Sequence, residues 1–178
     1  LLADPDISVA HSGRIAFIAS TPAHRGELYV LDSPDAKPRR LTDFNAFLDR
    51  LQLGRSETVE WDSADGFHED GVLTYPPDYR KGRKYPLVLV IHGGPEGSSD
   101  LRFSSLSQLL AASGFLVFQP NYRGSTNLGD KYQHAIFRDT GEGPGKDVMA
   151  GLAAVEKLGI VDADRIGVSG WSYGGYMT

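Results

Sequence analysis

Between residues 12 and 41 the apolar positions fall in short β-rich runs broken by turn residues. Arg14-Ile15-Ala16-Phe17-Ile18-Ala19-Ser20 and Glu27-Leu28-Tyr29-Val30-Leu31-Asp32 read as strands, Pro22 and Gly26 mark the turn between them, and Arg39-Arg40-Leu41-Thr42 is a short third strand. Strands at this spacing fit one unit of a repeated antiparallel sheet, such as a propeller blade. One such unit cannot bury both faces, so its partners are expected upstream. Residues 45–53 are predicted as a short linking helix. From Ser56 the pattern changes. Thr58-Val59-Glu60-Trp61-Asp62 alternates, Asp65-Gly66 signals a hairpin turn, and Gly71-Val72-Leu73-Thr74-Tyr75 returns. Leu87-Val88-Leu89-Val90-Ile91 is continuously apolar, the pattern of a strand buried on both faces. Helical spacing over residues 101–113 ends at Gly114, and Phe115-Leu116-Val117-Phe118 is another buried strand. Residues 145–158 carry apolar positions at Val148, Leu152, Val155 and Leu158, one face of a helix, before Arg165-Ile166-Gly167-Val168-Ser169. Strands alternating with helices predict an α/β domain with a mostly parallel sheet.

Composition narrows the class without choosing a function. The 178 residues are 40% hydrophobic and 23% charged, which is globular, and the net charge of −5 argues against a nucleic-acid footprint. Without cysteine there is neither a disulfide nor a thiolate metal site. No apolar run is long enough for a membrane helix. Leu1-Leu2-Ala3-Asp4 is not a signal peptide, and a cytoplasmic location is the expectation. The chain reads as an internal segment of a longer protein.

The chemistry concentrates at Gly170-Trp171-Ser172-Tyr173-Gly174, a G-x-S-x-G nucleophile elbow that follows a short strand and can open a helix. A serine hydroxyl is a poor nucleophile until a base takes its proton, and the elbow presents it where ligands meet an open α/β sheet. The N–H of Tyr173, the residue after the nucleophile, is one expected oxyanion donor. His92-Gly93-Gly94-Pro95 follows the Leu87–Ile91 strand in the manner of an oxyanion loop, which makes the Gly94 N–H the candidate second donor, with Gly93 still open. His92 is read as shaping that loop by hydrogen bonding rather than as the base, because all five histidines precede the serine. Asn121-Tyr122-Arg123-Gly124-Ser125 lies in the same loop layer. Arg123 pairs there with a substrate carbonyl or with an acidic loop residue, and the reading preferred is an arginine that ties loops together. Asp147 reads as a first-turn carboxylate of a helix.

Together these motifs resemble the prolyl oligopeptidase family of serine peptidases, with the nearest likeness to its acylaminoacyl-peptidase and dipeptidyl-peptidase branches. Leu41-Thr42 with Asn45, Glu57-Thr58-Val59-Glu60-Trp61, Asp65-Gly66, Tyr85-Pro86-Leu87, His92-Gly93-Gly94-Pro95, Asn121-Tyr122-Arg123-Gly124-Ser125 and Gly170-Trp171-Ser172-Tyr173-Gly174-Gly175-Tyr176 follow in family order. The resemblance implies the end of a β-propeller domain and a linker over residues 1–55. Residues 56–178 would then be the N-terminal part of an α/β-hydrolase peptidase domain. It implies Ser172 as the catalytic nucleophile and the Gly94 and Tyr173 amides as the oxyanion hole, with His92 and Arg123 as loop or substrate support. His92 stands where dipeptidyl peptidases carry a tyrosine, which favours the acylaminoacyl-peptidase side and backbone donation.

In that family the triad aspartate and histidine come later in the chain than Ser172, so the isolated segment is expected to be inactive and to need the rest of the hydrolase domain. The substrates implied are short peptides, and no metal, organic cofactor, nucleic acid or membrane is called for. The last strand, left bare, would be an edge prone to association, homo-oligomers included. Two alternatives stay open: a carboxylesterase using the same machinery, and an inactive fragment or interaction segment.

Overall fold

The computed structural model describes the backbone of residues 1–178 and every side chain except that of Pro5. It divides into two compact units, one of residues 1–53 with 101–105, the other of residues 54–100 with 106–178.

The first unit is a four-stranded antiparallel sheet in the order β1 (Leu2–Val9), β2 (Ile15–Ser20), β3 (Glu27–Leu31), β4 (Arg39–Arg40). The strand β1 was not anticipated. Asp4 and Asp6 interrupt any apolar alternation there, and the register with β2 shifts between Ala3 and Ile7. Phe17, Ala19 and Glu27 share one face and are buried, while on the other face the Ile18–Leu28 pair stays exposed and Val30, opposite Ala16, is buried. The linking segment is a 3₁₀ helix, Ala46–Arg50. Its approach is fixed by Glu27, a buried carboxylate that accepts hydrogen bonds from the Thr42 hydroxyl, the N–H groups of Phe44 (3.1 Å) and Asn45 (2.9 Å), and the Asn45 amide (2.9 Å). Burial raises the Glu27 pKa, but these donors outweigh it and hold the group at about 2.

The second unit is a five-stranded sheet in the order β5 (Ser56–Asp62), β6 (His68–Thr74), β8 (Leu116–Pro120), β7 (Tyr85–Ile91), β9 (Val161–Gly170). It is mixed rather than mostly parallel. The β5–β6 hairpin turns at Gly66 (φ 82°), and β6 then pairs antiparallel with β8. Only β7–β8 and β7–β9 are parallel. The hairpin was legible, but its insertion beside β8 is a long-range pairing that no local pattern encodes.

The helices are α1 (Ser105–Ala112), α2 (Asp130–His134), α3 (Glu142–Glu156) and α4 (Tyr173–Met177). The continuous apolar run of β7 is divided by the pleat. Leu87, Leu89 and Ile91 pack with Val148, Leu152 and Val155 of α3, while Val88 and Val90 pack with Ala111 of α1. In β8, Leu116 and Phe118 join the α3 side and Val117 the α1 side. Because β7, β8 and β9 run parallel, their carboxyl ends emerge together. That sheet end carries three loops: residues 92–104, residues 121–129 and the Trp171-Ser172 junction.

Candidate active site

Ser172 sits between β9 and α4 with φ 55° and ψ −119°. Positive φ in a residue with a Cβ is sparsely populated and persists only where the surroundings enforce it. The surroundings here are backbone. A Cβ on Gly170 would lie 2.1 Å from the Gly174 carbonyl oxygen, and one on Gly174 would lie 2.0 Å from that of Ile91. The two outer glycines of G-x-S-x-G therefore allow β9, α4 and the end of β7 to meet. In α4 the N–H groups of Gly174, Gly175 and Tyr176 are taken by the carbonyls of Trp171 (2.9 Å), Ser172 (2.9 Å) and Ser172 (3.1 Å). The Tyr173 N–H precedes them at the start of the helix, and Ser172 is solvent-exposed.

The Gly93-Gly94 segment lies against this turn. A Cβ on Gly93 would be 3.3 Å from the Ser172 Cβ and 3.0 Å from the Trp171 carbonyl oxygen, and Gly94 has φ 142°. Both nitrogens of His92 are engaged away from Ser172: Nδ1 meets the Gly93 carbonyl at 2.8 Å and Nε2 meets the Ser125 hydroxyl at 2.9 Å. Burial lowers the His92 pKa, partly offset by the Gly93 carbonyl. The ring is thus neutral at pH 7, donating from Nδ1. The single hydrogen of Ser125 is then divided between Nε2 and the Tyr122 carbonyl (2.6 Å). The other histidines lie elsewhere. His11 and His24 belong to the first unit, His68 bonds Asp62 (2.9 Å) and His134 bonds the Asp130 carbonyl (2.8 Å).

Tyr122 links both flanks of the elbow. It is fully buried, its hydroxyl donates to the His92 carbonyl at 2.9 Å, and its ring lies between His92 (4.4 Å) and Tyr173 (5.9 Å), stacked on each. Tyr173 in turn donates its hydroxyl to the Thr140 carbonyl, ahead of α3. Asn121 fixes the same loop from the other side, accepting the Ser99 N–H (2.7 Å) and donating to the Ser99 carbonyl (3.0 Å) and to Asp70 (2.7 Å).

Arg123 is directed into the protein. Nε and Nη2 each bond one oxygen of Asp147 at 2.7 Å, the Arg123 N–H adds a third bond at 2.8 Å, and Nη2 also reaches Asp65 at 2.7 Å. Asp147 is not a first-turn carboxylate. The helix α3 begins at Glu142, earlier than the periodicity indicated, so Asp147 falls in its second turn, fully buried. The bracing roles of Tyr122, Asp147 and Ser125, and the burial of Glu69, were not anticipated. For the first three the available signal was position: each lies in, or packs beneath, the loop that follows a buried parallel strand. Among the described residues no three His, Asp or Glu side chains are grouped to hold a metal ion.

A serine at positive φ, a glycine loop against it and the Tyr122 loop bracing both define a built site on this sheet end. Residues 101–178 match the prolyl oligopeptidase family. That family's members are serine peptidases, which are hydrolases. The chain is 34% identical over 166 residues, 91% of its length, to an uncharacterised peptidase of Bacillus subtilis, of which it covers 25%. It is 33% identical over 153 residues, 84% of its length, to dipeptidyl-peptidase 5 of Porphyromonas gingivalis, covering 22% of that protein. The acylaminoacyl peptidase of Pyrococcus horikoshii superposes with a TM-score of 0.87 at 28% identity, over 98% of this chain and 28% of that one. The chain thus spans about a quarter of the length of these relatives.

Proposed function

We propose that this chain carries the nucleophile and the oxyanion-binding elements of a serine peptidase that hydrolyses short peptides through an acyl-enzyme on Ser172. Supporting this reading most is the positive-φ geometry of Ser172 at the β9–α4 junction, with the Gly93-Gly94 loop in contact. In the proposed reaction the Ser172 Oγ attacks the scissile carbonyl as a general base takes its proton. The Tyr173 and Gly94 N–H groups stabilise the oxyanion, the amine product leaves, and water releases the acid. With His92 engaged by Gly93 and Ser125, its proposed part is to hold the loop. Arg123, committed to Asp147 and Asp65, braces the neighbouring loop.

The base and its orienting acid are assigned to sequence outside these 178 residues, in line with the four-fold greater length of the relatives. The four-stranded sheet is read as a propeller blade and the mixed sheet as the N-terminal part of an α/β-hydrolase domain. An apolar groove of about 340 Å³ along β9, lined by Leu89, Met149, Leu152, Val168 and Met177, fits further hydrolase segments packing there.

The test is a fluorophosphonate probe with peptide and ester substrates of matched acyl group, applied to the longest protein that contains this chain. Labelling mapped to Ser172, with turnover of short peptides, supports the proposal. Turnover of esters alone moves it to a carboxylesterase, and no labelling refutes it. The 178-residue chain alone is expected to label far more slowly.

A further inference from the structure

Beneath the Tyr122 loop two acidic side chains are buried together with too few cations. Glu69 on β6 and Asp147 on α3 both have 0% exposure. The one buried cation beside them, Arg123, is committed to Asp147 and to the half-exposed Asp65. Glu69 Oε2 accepts the Trp61 indole N–H from β5 at 2.6 Å, while Oε1 receives no donor. Two further groups lie within hydrogen-bonding reach of Glu69: the Tyr132 hydroxyl of α2, whose single hydrogen also goes to the Asn121 carbonyl at 3.1 Å, and Asp147, which is itself an acceptor. On β6 the flanking His68 and Asp70 side chains lie on the other face of the strand, His68 bonded to Asp62 and Asp70 to Asn121 and Asn127. An ionised Glu69 would be a buried charge with an orphan oxygen against a second carboxylate. A hydrogen on Oε1 removes both faults at once.

We propose that Glu69 keeps its proton up to the neutral range, donating it to Asp147, and that this pair positions Arg123 and Tyr122 for the chemistry at Ser172. Burial, then the charge and hydrogen bond of Asp147, push Glu69 up to about 7 against the pull of Trp61 and Tyr132. The path to the site is short. Asp147 holds the backbone N–H of Arg123 as well as its guanidinium, so it fixes the residue next to Tyr122. Tyr122 carries the His92 carbonyl on its hydroxyl and stacks on His92 and Tyr173. Ionising Glu69 places a second negative charge beside Asp147 and draws on the same guanidinium, loosening the loop from which both proposed oxyanion arms are braced. Glu69 is therefore a positioning residue. Only its effect on turnover rests on the peptidase reading.

The experiment has two arms, on the longest protein that contains this chain. In the first, ¹³C-carboxyl glutamate labelling follows Glu69 directly, with Glu69→Gln identifying its signal. A glutamate titrating near 7 and missing in the variant is the expected result, and titration near the ordinary 4.5 overturns the proposal. In the second, kcat and KM are measured for both proteins from about pH 6 to about pH 8.5. The ratio of Glu69→Gln to wild-type kcat is expected to rise several-fold through neutrality with KM little changed. A ratio constant with pH overturns the positioning role. Should the wild type turn over no peptide, the peptidase reading fails while the first arm still decides the proton. Thermal unfolding gives a check on folding. Because the folded pKa is raised, wild-type stability falls from about pH 4.5 up to about 7 and then levels, and Glu69→Gln removes that fall.

Discussion

Ser172, Gly170 and Gly174 show why this motif has the residues it has. The serine's positive φ is imposed by two backbone contacts that only glycine permits, 2.1 Å and 2.0 Å from where a Cβ would be. Both obstacles are carbonyl oxygens of ordered backbone and cannot rotate aside. Gly174→Ala is therefore expected to destabilise the second unit by about 3 kcal/mol or more, read as a shifted urea midpoint with Trp61 and Trp171 fluorescence. The same scale separates the two acidic partners of Arg123. Asp147→Ala leaves a buried guanidinium short of its bidentate partner and is expected to cost about 3–5 kcal/mol. Asp65→Ala removes a partner whose side chain is 51% exposed and is expected to cost about 1 kcal/mol or less, by the same denaturation measurement. Equal costs would contradict the clamp described for the Tyr122 loop.

Among elements, the end of the four-stranded sheet depends on one carboxylate. Glu27 on β3 gathers Thr42, Phe44 and Asn45, joining the strand to the segment that enters the 3₁₀ helix. Its pKa is lowered from 4.5 to about 2, so the stability it contributes is fully present above about 4.5 and is lost as pH falls through about 2. Glu27→Gln is expected to lose hydrogen-exchange protection at the Phe44 and Asn45 amides at neutral pH while leaving the β7 amides protected. Unchanged protection at Asn45 would show that the cage does not hold this segment. Local patterning made most elements legible. Alternation and turn residues located β2, β3 and the β5–β6 hairpin, and continuous apolar runs located β7 and β8. Elements whose reasons are distant were not legible. Edge strand β1 has acidic residues where alternation should be, and β6 reaches β8 across the sequence. The short α2, Asp130–His134, has no capping side chain to announce it. The site divides in the same way. Its glycine motifs are contiguous and readable, whereas Arg123 meets Asp147 24 positions away and Asp65 58 positions away. Buried carboxylates such as Glu69 look like surface charge until the fold brings Trp61 and Asp147 to them.

For the whole molecule, the peptidase reading makes the outer side of β9 an interior surface in the longer protein. Val168 is 46% exposed there, beside the apolar groove under α3. Val168→Asp is expected to lower the melting temperature of the longest protein that contains this chain and to leave the isolated 178-residue chain nearly unchanged. Equal effects would argue against segments packing on β9. The central claim is that Ser172 is an acylating nucleophile. Its most direct measurement is mass-spectrometric mapping of a fluorophosphonate adduct, with short-peptide hydrolysis measured alongside, in wild type and Ser172→Ala. The adduct is expected on Ser172 and absent in the variant, with a fall in kcat of about 10⁴-fold or more. An adduct on another residue, or peptide turnover undiminished in Ser172→Ala, would contradict it.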